Sequence, residues 1–243
     1  MDAAHHATFA LAIESSNPSA DPMSDAGPGV ALSQFIREAE RCVPVGVPHV
    51  ELLRKGAGRE DDLMPAIDRL FRRIGAQPRE VGLVAVSVGP GGFTALRVAV
   101  TVGNTFAFAT GAPTVAVPSA LVVARSTKPP GRFAVALASK GESTFVTVFD
   151  PAWQDLPIPE GRLLGAADIA SLGVERLIAD SFLPQSIREA CAQAGIDLQP
   201  PSFDARACLE CAFHLPPSPP GSLSPLYPRE PEAVTLWRAR QKR

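Results

Sequence analysis

The sequence predicts an α/β protein of two similar lobes. Three observations predict it. Strand-like and helix-like apolar patterns alternate along most of the chain, three strand candidates precede the first helix, and Lys128-Pro129-Pro130-Gly131 separates two such series. Residues 1–125 are read as an N-terminal lobe, 126–215 as a second, smaller lobe and 216–243 as an extended tail.

The elements follow in order. Phe9 to Ile13 is a short apolar run that suits a buried strand, and Glu14 to Gly29 is a loop rich in Ser, Asp, Pro and Gly. Val30 to Phe35 and Glu40 to Val45 read as two more strands. Asp62 to Ile74 is the clearest helix, with Leu63, Ile67, Leu70, Phe71 and Ile74 on one face, Asp61 or Asp62 as its cap, Pro65 in the first turn and Gly75 as its stop. Leu83 to Val88 is a buried strand. A Gly-rich turn then leads into a helix over Gly92 to Thr110 that is apolar nearly all round and must be covered on several sides. A strand at Thr114 to Val117 and a short helix at Ser119 to Ala124 complete this series. The second series holds a hairpin, Phe133 to Ala138 and Thr144 to Phe149, then helices near Ala166 to Ser171, Ser186 to Ala194 and Asp204 to His214, with a strand at Arg176 to Ala179. Pro216 to Pro220 ends regular structure.

Composition narrows the function. Hydrophobic residues make up 46 % of the 243, enough for a real core. The formal net charge is -2, which disfavours a chain that grips a phosphate backbone unaided, and one Tyr and two Trp make a poor base-stacking platform. Val98 to Ala124 carries no charge, but Gly103, Asn104, Gly111, Pro113 and Pro118 break it, so it reads as helix, turn and strand rather than a membrane span. Met1 to Thr8 lacks a secretory pattern, and a cytoplasmic address is expected.

The turn Val88-Gly89-Pro90-Gly91-Gly92-Phe93-Thr94-Ala95-Leu96-Arg97 joins a strand to a helix N-terminus. It lacks the Gly-Lys-Ser/Thr of a Walker A loop and the third glycine of a dinucleotide fingerprint. Its physics fits a structural tight turn or a ligand- or partner-contacting loop. As a string it resembles the GPGSFTGLR signature of the TsaB (YeaZ) family, with Gly92 for the usual Ser and Ala95 for the usual Gly. Ala12 to Ser16 resembles the family's opening strand, Leu63-Met64-Pro65-Ala66-Ile67 its LLPxI helix and Pro225-Leu226-Tyr227-Pro228-Arg229 its PxYxR tail. Ala136 to Val146 is a looser match to its hairpin, with Lys140 near the usual Arg and Gly141-Glu142 kept.

The resemblance implies an actin-like ATPase (ribonuclease H-like) fold, with which the three-strand opening agrees. It also implies a non-catalytic subunit of the machinery that forms N6-threonylcarbamoyladenosine at position 37 of tRNA. In that family the chemistry resides in a TsaD-type transferase subunit, joined by a TsaE-type ATPase, and tRNA is met through the complex. The first two helices of the N-terminal lobe form the family's dimer surface. The implied partner-facing residues here are therefore Leu63, Ile67, Leu70, Phe71, Ile74, Phe93, Val98, Val102 and Phe106, and the signature loop comprises Gly89, Pro90, Gly91, Gly92, Thr94 and Arg97. No cofactor is expected to bind tightly to the chain alone, and ATP or ADP would sit at an interface shared in the complex. A homodimer is a further option, and no membrane partner is expected.

Two other readings stay open at the level of sequence: a small-molecule kinase or ATPase of the same fold, and a homodimeric binding module unrelated to tRNA. Glu14 could stand in for an actin-like ATPase's first-strand acid, but Ser15 to Asp21 holds no Gly, and Pro18 and Pro22 remove amide donors. A catalytic metal site would need paired His one helical turn apart, and no two of His5, His6, His49 and His214 are so spaced. Cys208 and Cys211 read as buried helix cysteines, and no metal site is expected. The terminal Arg238, Arg240, Lys242 and Arg243 read as a solvated tail or a contact to tRNA or a partner.

Overall fold

Both sheets have one strand order. The structure, a computed structural model, describes residues 8–17, 26–38, 41–54, 62–153, 158–229, 237–238 and 241. In the first lobe β1 (Thr8–Glu14), β2 (Gly29–Glu38) and β3 (Arg41–Leu52) form an antiparallel meander. After α1 (Leu63–Ile74), β4 (Val81–Gly89) joins parallel to β1, and after α2 (Phe93–Thr110), β5 (Thr114–Pro118) joins parallel to β4, giving the order β3-β2-β1-β4-β5. Following α3 (Ser119–Thr127), the same plan repeats. β6 (Phe133–Lys140), β7 (Ser143–Phe149) and β8 (Arg162–Leu164) form the meander, and β9 (Arg176–Ala179) and β10 (Asp197–Gln199) add in parallel after α4 (Ala166–Ile169) and α5 (Gln185–Ala194). The second order is β8-β7-β6-β9-β10, the first order with each strand replaced by its counterpart, and α6 (Ala205–Ala212) closes the second series as α3 closes the first.

Side-chain size on alternate strand positions decides which helices lie on which face. Leu11, Ile13, Val84 and Val86 point to one side of the first sheet and pack in a core with Leu63, Ile67 and Leu70 of α1. Ala10, Ala12 and Ala85 point to the other side, where Ala205, Ala207 and Cys208 of α6 approach closely over small residues. On the first side α2 also sits tight against β4. A Cβ built on Gly103 would lie 2.5 Å from Val86 Cγ2, so glycine is needed there. The α3–α6 core also takes in Phe133, Val135, Leu137 and Ile178, so one core joins the two lobes.

Several expectations change here. Helix α6, within the stretch 126–215, packs on β1, β2 and β4 of the first sheet. Strand β3 runs on to Leu52, well past Val45, while the expected start at Glu40 lies outside the described residues. The short edge strands β8 and β10 were not anticipated, since mostly exposed three-residue strands carry no alternation to read. Asp62 stands at the N-cap of α1 but does not cap it. Its carboxylate instead accepts from Arg54 N and from both terminal nitrogens of Arg69, all at 2.8 Å, and Arg69 holds it below the usual carboxylate range. Asp61, the alternative cap, lies outside the described residues, as do His5, His6, Arg240, Lys242 and Arg243.

On α1, Leu63, Ile67, Leu70 and Phe71 are at most 5 % exposed and are packed against β2, β3 and the rest of their own core. Ile74, Val98, Val102 and Phe106 are half-buried on the same core, and Phe93 is exposed. The cysteines behave as expected: Cys208 and Cys211 are buried, and burial pushes the Cys211 thiol up to about 12. No described helix is long and apolar enough to cross a membrane, and the uncharged stretch divides into α2, β5 and α3.

Candidate functional site

Four of the motif-bearing segments, far apart in sequence, meet at the seam between the lobes, while Leu63–Ile67 lies apart on α1. β1 ends at Glu14, and the turn after β4 crosses directly over the residues that follow it. Gly92 N donates to Ser16 O at 2.7 Å. A Cβ on Gly91 would stand only 2.1 Å from that same oxygen, so the two backbones touch through a position that has no room for a side chain. The Gly89–Pro90 peptide bond is cis, Pro90 is buried, and α2 starts at Phe93.

The described segment 216–229 is firmly attached to both lobes. Ser218 and Thr114 exchange backbone hydrogen bonds of 2.7 and 2.9 Å. The Asn104 side chain both donates to and accepts from the Leu223 backbone, each at 3.0 Å. Leu226 N donates to Val88 O at 2.8 Å, and Tyr227 stacks on Phe93 with centroids 5.4 Å apart, while Arg97 lies over the same Phe93 ring at 5.1 Å. Arg229 then reaches the β6–β7 hairpin and donates to Ala138 O, to Ser143 O and to Ser143 Oγ. The tail therefore ties the first lobe to the second through charge-assisted bonds.

Between Asn17, Gly91 and Gly92 on one side and Ala138, Ser139 and Asp180 on the other lies a cavity of about 260 Å³, with Phe182 at 62 % exposure beside it. This is below the roughly 300–1,000 Å³ of usual small-molecule pockets. Asp180 Oδ1 accepts from Phe182 N at 3.0 Å, and burial pushes its carboxyl above the usual range.

Glu14, the candidate first-strand acid, does not open into that cavity. It is 0 % exposed, and Oε1 accepts from Ser16 N and Ser16 Oγ, both at 2.7 Å. Burial is the largest cause that raises its carboxyl above the ordinary 4.5, and hydrogen bonds from Ser87 and then Ser16 oppose it. The folded chain thus holds a proton that the unfolded chain releases. Stability is full below the unfolded value and falls as pH rises through the folded one. Glu14→Gln, which cannot ionise, is expected to melt above the parent at alkaline pH, with the gap closing below pH 4.5. Calorimetric scans across that range check it, and a gap that does not change with pH would show that Glu14 does not titrate differently in the two states.

A family description, TsaD: tRNA N6-adenosine threonylcarbamoyltransferase, matches residues 56–214. The chain belongs to that family. Among solved structures it is similar to an uncharacterized protein with similarity to peptidase YeaZ from Pseudomonas aeruginosa, at 18 % identity and TM-score 0.59, over 91 % of this chain and 100 % of that one. It is also similar to YeaZ from Pseudomonas aeruginosa, at 17 % identity and TM-score 0.58, over 90 % and 99 % of the two chains. No curated protein matches it. The fold implied by the TsaB (YeaZ) resemblance is borne out: the architecture is the two-lobed actin-like one, mixed sheets flanked by helices.

Within this TsaD-family chain the signature loop is split by function. Gly89, Pro90, Gly91 and Gly92 form the seam, whereas Thr94 and Arg97 project from α2 into solvent. Of the implied contact residues, Phe93 is open at 59 % exposure, and Ile74, Val98, Val102 and Phe106 are partly open. The sequence reading missed Tyr227 as the partner of Phe93, and Asp180 and Phe182 as neighbours of the seam. The PxYxR string signalled the first, and nothing in the local pattern signalled the others.

Proposed function

We propose that the chain is the non-catalytic, TsaB-type dimerising subunit of the assembly that forms N6-threonylcarbamoyladenosine at position 37 of tRNA, and that it activates a TsaD-type transferase subunit. The observation that carries this is the outer face of α2. Phe93 and Phe108 are 59 % and 83 % exposed along a helix flanked by half-buried Val98, Val102 and Phe106. Two such aromatics on one rigid helix suit an anchor that a partner covers. The sealed α1 face takes no direct part, and a charge at Ile67, 2 % exposed, would test folding rather than docking. Support for a non-catalytic role comes from Glu14, whose carboxyl is enclosed at the strand end where an actin-like ATPase needs it accessible. In this reading a TsaE-type ATPase joins the pair, tRNA is met through the complex, ATP or ADP lies at the shared interface, and a second copy of the chain can occupy the same helix face before the partner arrives. The setting is the cytoplasm.

The test is reconstitution. The purified chain, a TsaD-type subunit and a TsaE-type ATPase are combined with tRNA, and the modified nucleoside is measured by mass spectrometry. Transfer is expected only with the complete mixture, together with co-elution of this chain and the TsaD-type subunit. Transfer or brisk ATP turnover by this chain alone would overturn the reading, as would full transfer in its absence.

A further inference from the structure

A cleft of about 1290 Å³ lies away from the motif seam, between the β2–β3 hairpin and the C-terminal end of α6. It opens on the α3–α6 side of the first sheet, opposite α1 and α2, so a partner on the α2 face leaves it free. Leu83, Val115 and Leu209 close its base and are buried, while its open apolar lining is half-buried Val43, Phe213 and Leu215 with exposed Pro44, Pro216 and Pro217; Phe213 is tilted on Phe35 at 6.2 Å between ring centroids. Its rim carries two cations, Arg37 and Lys128. Arg125 and Glu210 also line it, but they pair with each other at 2.7 Å and cancel. Arg37 and Lys128 are exposed and make no ion pair among the described residues. A cationic rim over a mostly aliphatic lining therefore stands out on a chain whose net charge is -2.

We propose that this cleft docks an acidic, amphipathic segment of a partner protein. Apolar side chains would cover the open lining, and carboxylates would face Arg37 and Lys128. Charge complementarity selects the sign of the ligand, and burial of the open lining of Val43, Phe213, Leu215 and the prolines supplies the attraction. The wall also limits the binding mode. β3 is the edge strand here, and Pro44 and Pro48 on it have no N–H to offer, so the segment is recognised through side chains rather than as an added strand. Single-stranded RNA is the poorer match. It needs a longer basic track and open aromatic faces, whereas this lining is mostly aliphatic.

The test uses the full-length chain and fluorescence anisotropy with three labelled probes: a short peptide of glutamates interspersed with leucines, its glutamate–serine counterpart, and a short single-stranded RNA. The glutamate–leucine peptide is expected to bind about tenfold more tightly than either control. Its affinity should fall about tenfold in the Arg37→Glu, Lys128→Glu double variant, whose exposed positions leave the melting temperature unchanged. Absent binding, equal binding of the serine peptide, preference for RNA, or an unaltered affinity in the double variant would each overturn the proposal. None of these outcomes touches the reconstitution test, because the α2 face lies across the sheet.

Discussion

Thr101→Lys combined with Phe108→Lys is expected to abolish pairing with the TsaD-type subunit while leaving the fold intact. Both residues are exposed and stand two turns apart on the outer side of α2. Neither belongs to the buried core, so their replacement is expected to change stability by no more than about 0.5 kcal/mol. Position 108 is also in the last turn of α2, where a lysine meets the negative end of the helix dipole and is mildly favoured. The docked state is different. An ammonium trapped without a partner in an interface costs about 2–5 kcal/mol. Even the lower figure applied twice weakens pairing by more than about a hundredfold. Titration calorimetry against the TsaD-type subunit measures this directly, and the modified nucleoside should disappear in parallel. Parent-like affinity in the double variant would remove α2 as the docking surface.

Gly91→Ala is expected to have the second largest effect, this time on stability. Two terms compete. Replacing glycine restricts the unfolded chain and favours folding by about 0.4–1 kcal/mol wherever the native backbone accepts a side chain. Here it does not. The new Cβ would stand 2.1 Å from Ser16 O and 2.9 Å from the Ser16 carbonyl carbon, both backbone atoms that cannot swing aside. The turn must lift off β1's end, which breaks the 2.7 Å bond from Gly92 N to Ser16 O. Loss of that bond and of the surrounding packing costs about 2–4 kcal/mol, so the unfavourable side wins. For a chain of this size the melting temperature should fall by roughly 5–10 °C. Because Phe93 follows the turn and stacks on Tyr227, affinity for the TsaD-type subunit should fall as well. An unchanged melting temperature would show that the seam is not the rigid junction described.

Four of the separated strings that carry the resemblance (the strand end, the signature turn, the hairpin and the tail) meet in space, while the Leu63–Ile67 string lies apart on α1. Gly91–Gly92 meets Ser16, Leu226 meets Val88, Tyr227 meets Phe93, and Arg229 meets the β6–β7 hairpin. No local pattern could reveal these pairings, because each joins residues whose own environments look like ordinary turns or tail. Glu14 shows the same limit. Its place at the end of a strand is legible, but its complete enclosure depends on neighbours brought in from other elements.

Apolar spacing by itself determined that β1 and β4 are buried strands, that α1 has one greasy side and that α2 has several, because side-chain periodicity is a property of a single element. What covers each greasy side is a relation between elements, and only the tertiary structure decided it. The leucines and isoleucine of α1 found β2 and β3 of their own sheet, whereas Phe108 of α2 found nothing within the described chain. The same holds for α6. Its sequence ends the second series, yet the small residues on the far side of β1 draw it onto the first sheet and make one core of two lobes.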